Sequence, residues 1–315
     1  MGKYVLQRVV AMLLTILCII TITFFLMHAI PGGPFTRERP LPDAILNALN
    51  KKYHLDDPVW KQYANYLEDL VLKGDFGPSF RQANRSVNEL IGSGFPVTAK
   101  LGLASIALTL IIAIPMGIYS ALKQGKWQDY TAMFIATLGV TIPGFVMAIL
   151  LIYIFALKLE ILPVISGSLD TAITMVLPVL ALTGFQLSFI TRLMRSSMLD
   201  VIQQDYIRTA RAKGISEFKV LMKHAFKNAI LPVITYMGPM VAALLTGSFV
   251  IERMFTIPGM GGFFVTSIGN RDYTMIMGST IFYAAILIVM NFVVDILYGF
   301  VDPRIKLQNA KGGAA

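Results

Sequence analysis

The sequence predicts an all-α, polytopic membrane protein with six transmembrane helices, and three observations carry that prediction. Of 315 residues, 56% are hydrophobic and only 14% are charged, against about 25% charged in soluble domains. The charges fall between long apolar runs rather than through them. The excess of positive charge, formally +9, collects in alternate short loops, as membrane topology requires. Nucleic acid is therefore not an expected partner; membrane lipid is.

The six apolar segments lie at about 9–30, 101–122, 130–157, 174–191, 229–251 and 275–301. Each approaches the roughly 20 residues a helix needs to cross the hydrocarbon core. Within lipid the backbone must satisfy its own hydrogen bonds, so these segments are helices. The first run, 22 residues long, exceeds a signal-peptide core and ends in "HAIPGGPF" with no clear cleavage site. It is read as a span. The single cysteine, Cys18, lies inside that run, which rules out an intrachain disulfide and a cysteine-rich metal site.

Lys3 and Arg8 precede the first span, and Lys123 and Lys126 lie between the second and third. Residues 192–228 hold eight Lys or Arg, and Arg304, Lys306 and Lys311 follow the last span. The opposite short loops hold little: Lys158 with Glu160 and Asp170, then Glu252, Arg253, Arg271 and Asp272. The positive-inside rule places both termini in the cytoplasm. Loop 31–96, with eight basic and eight acidic residues, is too long to count.

That loop carries its own helical signals. Pro42 can open a helix with Ile45, Leu46 and Leu49 on one side. Asp57 can cap a second, opened by Pro58, with Trp60, Tyr63, Leu67, Leu70 and Val71 at helical spacing and Gly74 at its end. Two short amphipathic helices over the outer mouth are expected, either as a plain cap or as a partner contact or gate.

No phosphate-binding loop is legible: "GKW" at 125–127 lacks the upstream glycine and the following Ser or Thr. His28, His54 and His224 lack metal-ligand spacing. No Ser, Cys or Thr sits in a nucleophile motif. The chain is expected to be non-catalytic, with no bound cofactor or metal, so an energy source must come from a partner. Pro115, Pro143 followed by Gly144, Pro178, Pro232 and Pro239 predict kinked or broken helices. Asp295 is the one ionisable residue read well inside a span, one turn from Asn291 and near Tyr298. Pairing with a basic loop is favoured over a role in a pathway.

The basic insert 192–228 is long for a connector. "DYIRTARAK" breaks at Gly214, and Ser216 can cap a second helix opening with Glu217. There Phe218, Leu221, Met222, Ala225, Phe226 and Ala229 form an apolar stripe, and Lys219, Lys223 and Lys227 a basic one. This is either an interfacial helix held by anionic lipid or a docking surface for a cytoplasmic protein.

A helix, a glycine and a second helix in the last large cytoplasmic loop resemble the EAA loop of ABC importer permeases, the segment that docks on the ATPase subunits. The family pattern is Glu-Ala-Ala, three residues, then Gly. Aligned on Gly214, this chain has Arg208, Thr209 and Ala210, and its Leu-Pro arrives late at Leu231 and Pro232. A salt bridge made by the usual Glu cannot be carried over. The form "RTARAKG…HAFKNAILP" resembles the peptide/nickel branch. So do "IPGGPF" at 30–35, "GDFGPSF" at 74–80, "ERMFTIPGMGGFFVTSIGNRDYTMI" at 252–276 and "VDPRIK" at 301–306. Within the branch the chain looks most like the first of the two oligopeptide permease subunits.

The resemblance implies a type I permease fold. A cytoplasmic N-terminus and first helix (1–30) are followed by an outer helical loop (31–96), a five-helix core (97–302) with the coupling loop 192–228, and a cytoplasmic tail (303–315). It implies half of a heterodimeric pathway for oligopeptide uptake in a bacterial inner membrane. The partners would be a second permease, two ATPases binding ATP and Mg, and an external peptide-binding protein. A dipeptide, murein-peptide, glutathione or nickel importer is the alternative within the branch; an ion channel or a sensor with an adaptor is the alternative outside it. By position, the coupling candidates are Arg208, Thr209, Ala210, Gly214, Phe218, Leu221, Lys223, His224 and Asn228. Pro258, Gly259, Gly261, Arg271 and Asp272 are the candidates for an outer gate or binding-protein contact.

Overall fold

The computed structural model describes residues 2–35, 42–164 and 171–301. Among them the outer-loop half of the chain forms α1 (Gly2–Ala29), α2 (Asp43–Lys52), α3 (Val59–Glu68) and α4 (Val87–Leu122). Then come α5 (Trp127–Thr141), α6 (Gly144–Leu151), α7 (Ala172–Ile202), α8 (Asp205–Ala212), α9 (Glu217–Lys219) and α10 (Phe226–Ala229). The chain closes with α11 (Leu231–Leu245), α12 (Phe249–Met254), α13 (Met260–Asn270) and α14 (Tyr273–Val301). Wider π-turns extend α3 (Asp69–Lys73) and α6 (Ile152–Lys158) and join α9 to α10 (Val220–Ala225). No strand occurs among the described residues, only one antiparallel bridge between Pro78 and Ser86. The fold is all-α and polytopic.

Among the described residues five helical segments are long and apolar enough to cross a membrane: Leu6–Ala29, Val87–Leu122, Ala172–Ile202, Leu231–Met254 and Tyr273–Val294. The third predicted span, 130–157, is not one straight helix. Trp127–Thr141 and Gly144–Lys158 meet at a bend of 107°. Pro143 forces Ile142 out of the helical region, to φ −86° and ψ 117°. The other prolines do not break their helices. Pro115, Pro178 and Pro239 lie inside α4, α7 and α11, and Pro232 sits in the first turn of α11, where a missing N–H costs nothing.

Helices α4 and α7 outrun the expected spans. The α4 helix starts at Val87 because Ser86 and Glu89 form a reciprocal capping box. The Ser86 N–H donates to the Glu89 carboxylate at 3.3 Å, and the Glu89 N–H donates to Ser86 Oγ at 3.2 Å. The α7 helix runs on to Ile202, through Arg192 and Arg195. Arg192 donates to Ser188 Oγ one turn back at 3.1 Å. Arg195 reaches Asp129 on α5. Both arginines lie on α7 past the predicted run 174–191; the residue read well inside a span is Asp295, on α14. Its own side chain, that of Tyr298, and the tail after Val301 with Arg304, Lys306 and Lys311 lie outside the described residues, as does Asp170.

The chain divides into two units, Met1–Thr98 with Pro258–Ile288, and Ala99–Ile257 with Val289–Ala315. In the first, Val87, Leu90 and Ile91 of α4 pack with Met260 of α13 and Met275 of α14. There α3 seats on the end of α1. The Tyr63 hydroxyl meets Thr21 Oγ1 at 2.6 Å, and Gln62 meets His28 Nε2 at 3.1 Å. Leu46, Leu49, Tyr63, Leu67 and Leu70 turn partly inward, whereas Ile45, Trp60 and Val71 of the expected stripes face outward. Asp57 is not a side-chain cap; it pairs with Lys61 at 3.2 Å. Gly74 does end the helix, at φ +63°. In the second unit one core joins Ala113 of α4, Ile190, Met194 and Met198 of α7, Ile207 and Ala210 of α8, and Val233 and Met240 of α11.

Candidate functional site

The basic insert belongs to the second unit and is built as a folded bracket. In α8, Ile207 and Ala210 are buried in the core shared with Met194 and Met198. This sends Arg208 outward, with 72% of its side chain exposed and Asp205 3.6 Å away. Thr209 spends its hydroxyl on the Asp205 carbonyl at 2.9 Å. The chain turns at Gly214 with φ +74°, a conformation that glycine adopts without steric cost. The turn is closed by a two-pronged ion pair. Arg211 Nε and Nη2 donate to Glu217 at 3.1 and 2.7 Å. That pairing, through its hydrogen bonds, holds the Glu217 carboxyl below the usual carboxylate range. Ser216 occupies the cap position but makes no side-chain cap bond.

Past the turn the apolar stripe is rotated from the expected one. Val220, Ala225 and Ala229 are fully buried, Leu221 and Phe226 partly so. Phe218 and Met222 instead face outward, 74% and 47% exposed. The cause is the π-turn at Val220–Ala225. It places residues five apart on one face, then returns to the four-residue step that reaches Ala229. Lys219, Lys223 and Lys227 stay exposed, and His224 is half-buried. Asn228 Nδ2 donates to the Tyr206 hydroxyl at 2.8 Å, tying α10 to α8. The outward surface therefore combines Tyr206, Phe218 and Met222 with Arg208, Lys219 and Lys223. Ala210 is not part of it. Read by position as a coupling candidate, it packs inside the chain instead.

The second candidate group lies in the first unit, where the structure joins motifs that are far apart in sequence. Asp272 is 3% exposed and precedes α14. Its carboxylate accepts from the Met275 N–H at 3.3 Å, which caps that helix. It also accepts from the Phe80 N–H at 3.1 Å and from the Ser79 hydroxyl. So the "RDY" and "GDFGPSF" stretches are one cluster. Arg271, at φ +55°, donates to the Pro31 carbonyl at 2.9 Å. Arg81 donates to the Pro34 and Asn270 carbonyls at 2.8 and 2.5 Å. The "IPGGPF" stretch is thereby drawn in as well. Gly259 and Gly261 are buried and Pro258 is exposed. The Met260 N–H donates to Thr98 Oγ1 at 2.8 Å. Ser79, Arg81 and Thr98 went unread in the sequence, since nothing local marks partners 162 to 193 residues away. Among the described residues no group of three or more His, Cys, Asp or Glu could hold a metal ion.

Comparison with known proteins agrees with this architecture. The family described as "Binding-protein-dependent transport system inner membrane component" matches residues 113–307, and its N-terminal companion matches residues 1–102. The chain belongs to this family: it is a multi-pass inner-membrane permease of the ABC importer class. It is 50% identical to the dipeptide transport system permease protein DppB of Bacillus subtilis, over 98% of this chain and 99% of that one. It is 45% identical to the oligopeptide transport system permease protein OppB of Haemophilus influenzae and 44% identical to that of Escherichia coli. Each of these alignments covers 97% of this chain and all of the relative.

Proposed function

We propose that this chain forms one half of a heterodimeric pathway that imports short peptides, powered by ATP hydrolysis on two separate cytoplasmic subunits. A homologous second permease completes the pathway, and an external peptide-binding protein delivers cargo. The observation that carries the reading is the insert. Its inner face is fixed to the α7 core by Ile207, Ala210, Val220 and Ala225, while Phe218, Met222 and a row of cations stand free. An ordered surface of that kind suits an energy-supplying partner. ATP and Mg would bind on that partner, and the residues from Arg208 to Asn228 would make the contact.

The peptide assignment rests on the relatives, whose names include both dipeptide and oligopeptide systems. Cargo length is therefore a matter for experiment. Both termini and the insert lie in the cytoplasm in this reading, with residues near Asp57 and Gly261 outside. Deleting the chain should abolish uptake of labelled di- and oligopeptides and leave nickel uptake intact. Loss of nickel uptake alone would move the chain to a metal importer. A reporter fused near Gly261 that reads cytoplasmic would overturn the orientation.

A further inference from the structure

The second unit contains a largely buried ion pair that none of the motifs covers, its carboxylate enclosed and its guanidinium a quarter exposed. Asp129, in the first turn of α5, is 3% exposed. Its carboxylate accepts from Arg195 Nε and Nη2 of α7, both at 2.7 Å. Its remaining lone pairs take the Ser120 hydroxyl at 2.5 Å, at the end of α4, and the Gly125 N–H at 3.0 Å, in the turn between α4 and α5. Four donors saturate the group. Two parallel bonds from one guanidinium fix direction as well as distance, which a lysine cannot do. A buried pair of this sort adds little net stability over an apolar pair, and its attested use is to set register.

The same two helices touch again further along. A β-carbon on Gly139 of α5 would lie 2.3 Å from the Gly184 carbonyl oxygen of α7. The helices cross there backbone to backbone, as small residues permit. Ten residues separate Asp129 from Gly139, about 15 Å of helix. On α7, Arg195 and Gly184 are spaced almost equally in the opposite direction. Two fixed points remove both sliding and rotation between α5 and α7. Two residues beyond the second point α5 ends, and Ile142 and Pro143 break the chain before α6. At its other end α7 shares its core with Ile207 and Ala210 of the insert.

From this we infer that Asp129 and Arg195 are positioning residues that make α5 and α7 a single lever. It runs from the insert to a hinge at Ile142–Pro143, about which α6 moves. The inference rests on the proposal that the insert receives force from the ATPases. Pro143 supplies no N–H to the helix ladder and the two break residues have extended backbone, so bending is concentrated there rather than spread along α5.

The test uses the assembled importer in lipid nanodiscs, with Cys18 replaced by serine and spin-label pairs at exposed sites. One pair joins α5 to α7, at Ile135 and Phe185; the other joins α6 to α7, at Ile149 and Phe185. Pulsed dipolar distances are compared before and after a non-hydrolysable ATP analogue is added. The α5–α7 distance should hold within about 2 Å while the α6–α7 distance shifts by more than that. An α5–α7 shift as large as the α6–α7 shift overturns the lever, and so does an unchanged α6–α7 distance. In parallel, Asp129→Asn should import about tenfold less peptide per ATP hydrolysed. A wild-type ratio at wild-type abundance also overturns the lever. Whether the ATPases co-purify at all is read in the same preparation, so failure of the coupling proposal is seen separately.

Discussion

Asp272 lies in a stretch that marks the family and Phe218 between two others, yet one is 3% exposed and the other 74%. The outer cluster turns its signature side chains inward. Asp272 caps α14 and holds Ser79 and Phe80, while Arg271 and Arg81 clasp carbonyls of the segment after α1. The insert does the opposite: it hides small and aliphatic residues and presents Arg208, Phe218 and the lysines. A polar motif that is buried and saturated is there to build its own unit. An apolar and cationic motif left standing in the open needs something outside the chain to explain it. Arg271 and Asp272 both spend their side chains on bonds within their own unit.

Substitutions can separate these two kinds of motif. The largest effect is expected at Asp272. Asp272→Ala strips the cap from α14 and leaves the Phe80 N–H and Ser79 hydroxyl without their acceptor, at about 3 kcal/mol or more. Purified protein should melt earlier and accumulate less. If thermal stability and abundance are unchanged, the cluster is not what holds its unit together.

Next comes Ala210→Asp, which forces a carboxylate into the core beside Met194 and Met198, at about 2–3 kcal/mol. The insert should become sensitive to proteases even when no ATPase subunit is present. Protease resistance equal to wild type would return Ala210 to the docking surface.

The smallest effect concerns the ion pair across the Gly214 turn. Glu217→Gln should cost no more than about 0.5 kcal/mol, because both partners are well solvated. The Glu217 carboxyl titrates lower in the folded chain than in the unfolded one. Its contribution is therefore complete above the ordinary carboxylate range and is lost as pH falls through the lower, folded value. Comparing melting of wild type and Glu217→Gln from neutral to acid pH should show a small gap that closes on acidification. A gap that widens would contradict the pairing.

Much of this architecture was legible because hydropathy and positive charge are local signals. Five spans, the apolar run that holds the broken pair α5 and α6, the Gly214 turn and the Gly74 stop could be read from composition and spacing. The ends of α4 and α7 could not. The capping box at Ser86 and Glu89 was readable but hidden behind the expectation of a loop. Arg192 and Arg195 looked like the start of a connector because the partner of Arg195, Asp129, is visible only once α7 is folded against α5, and Arg192 meets Ser188 only if the helix runs on. The stripe in the insert was misplaced for a different reason. A regular α-helical period puts Phe218 inside, and only the π-turn at Val220–Ala225 rotates it out. The tie between Asp272 and Ser79 joins residues 193 apart, and periodicity carries no information at that range.

The central claim is that the open face of the insert is where the ATPases grip. The most direct measurement is binding of purified ATPase subunits to the permease pair in nanodiscs, with Phe218→Ala and Met222→Ala combined in this chain. Both side chains are exposed, so stability should stay within about 0.5 kcal/mol of wild type. Affinity should fall by about tenfold or more, as for removal of anchors at the centre of an interface, and ATP-driven peptide uptake should fall with it. Wild-type affinity and uptake in the double variant would contradict the account.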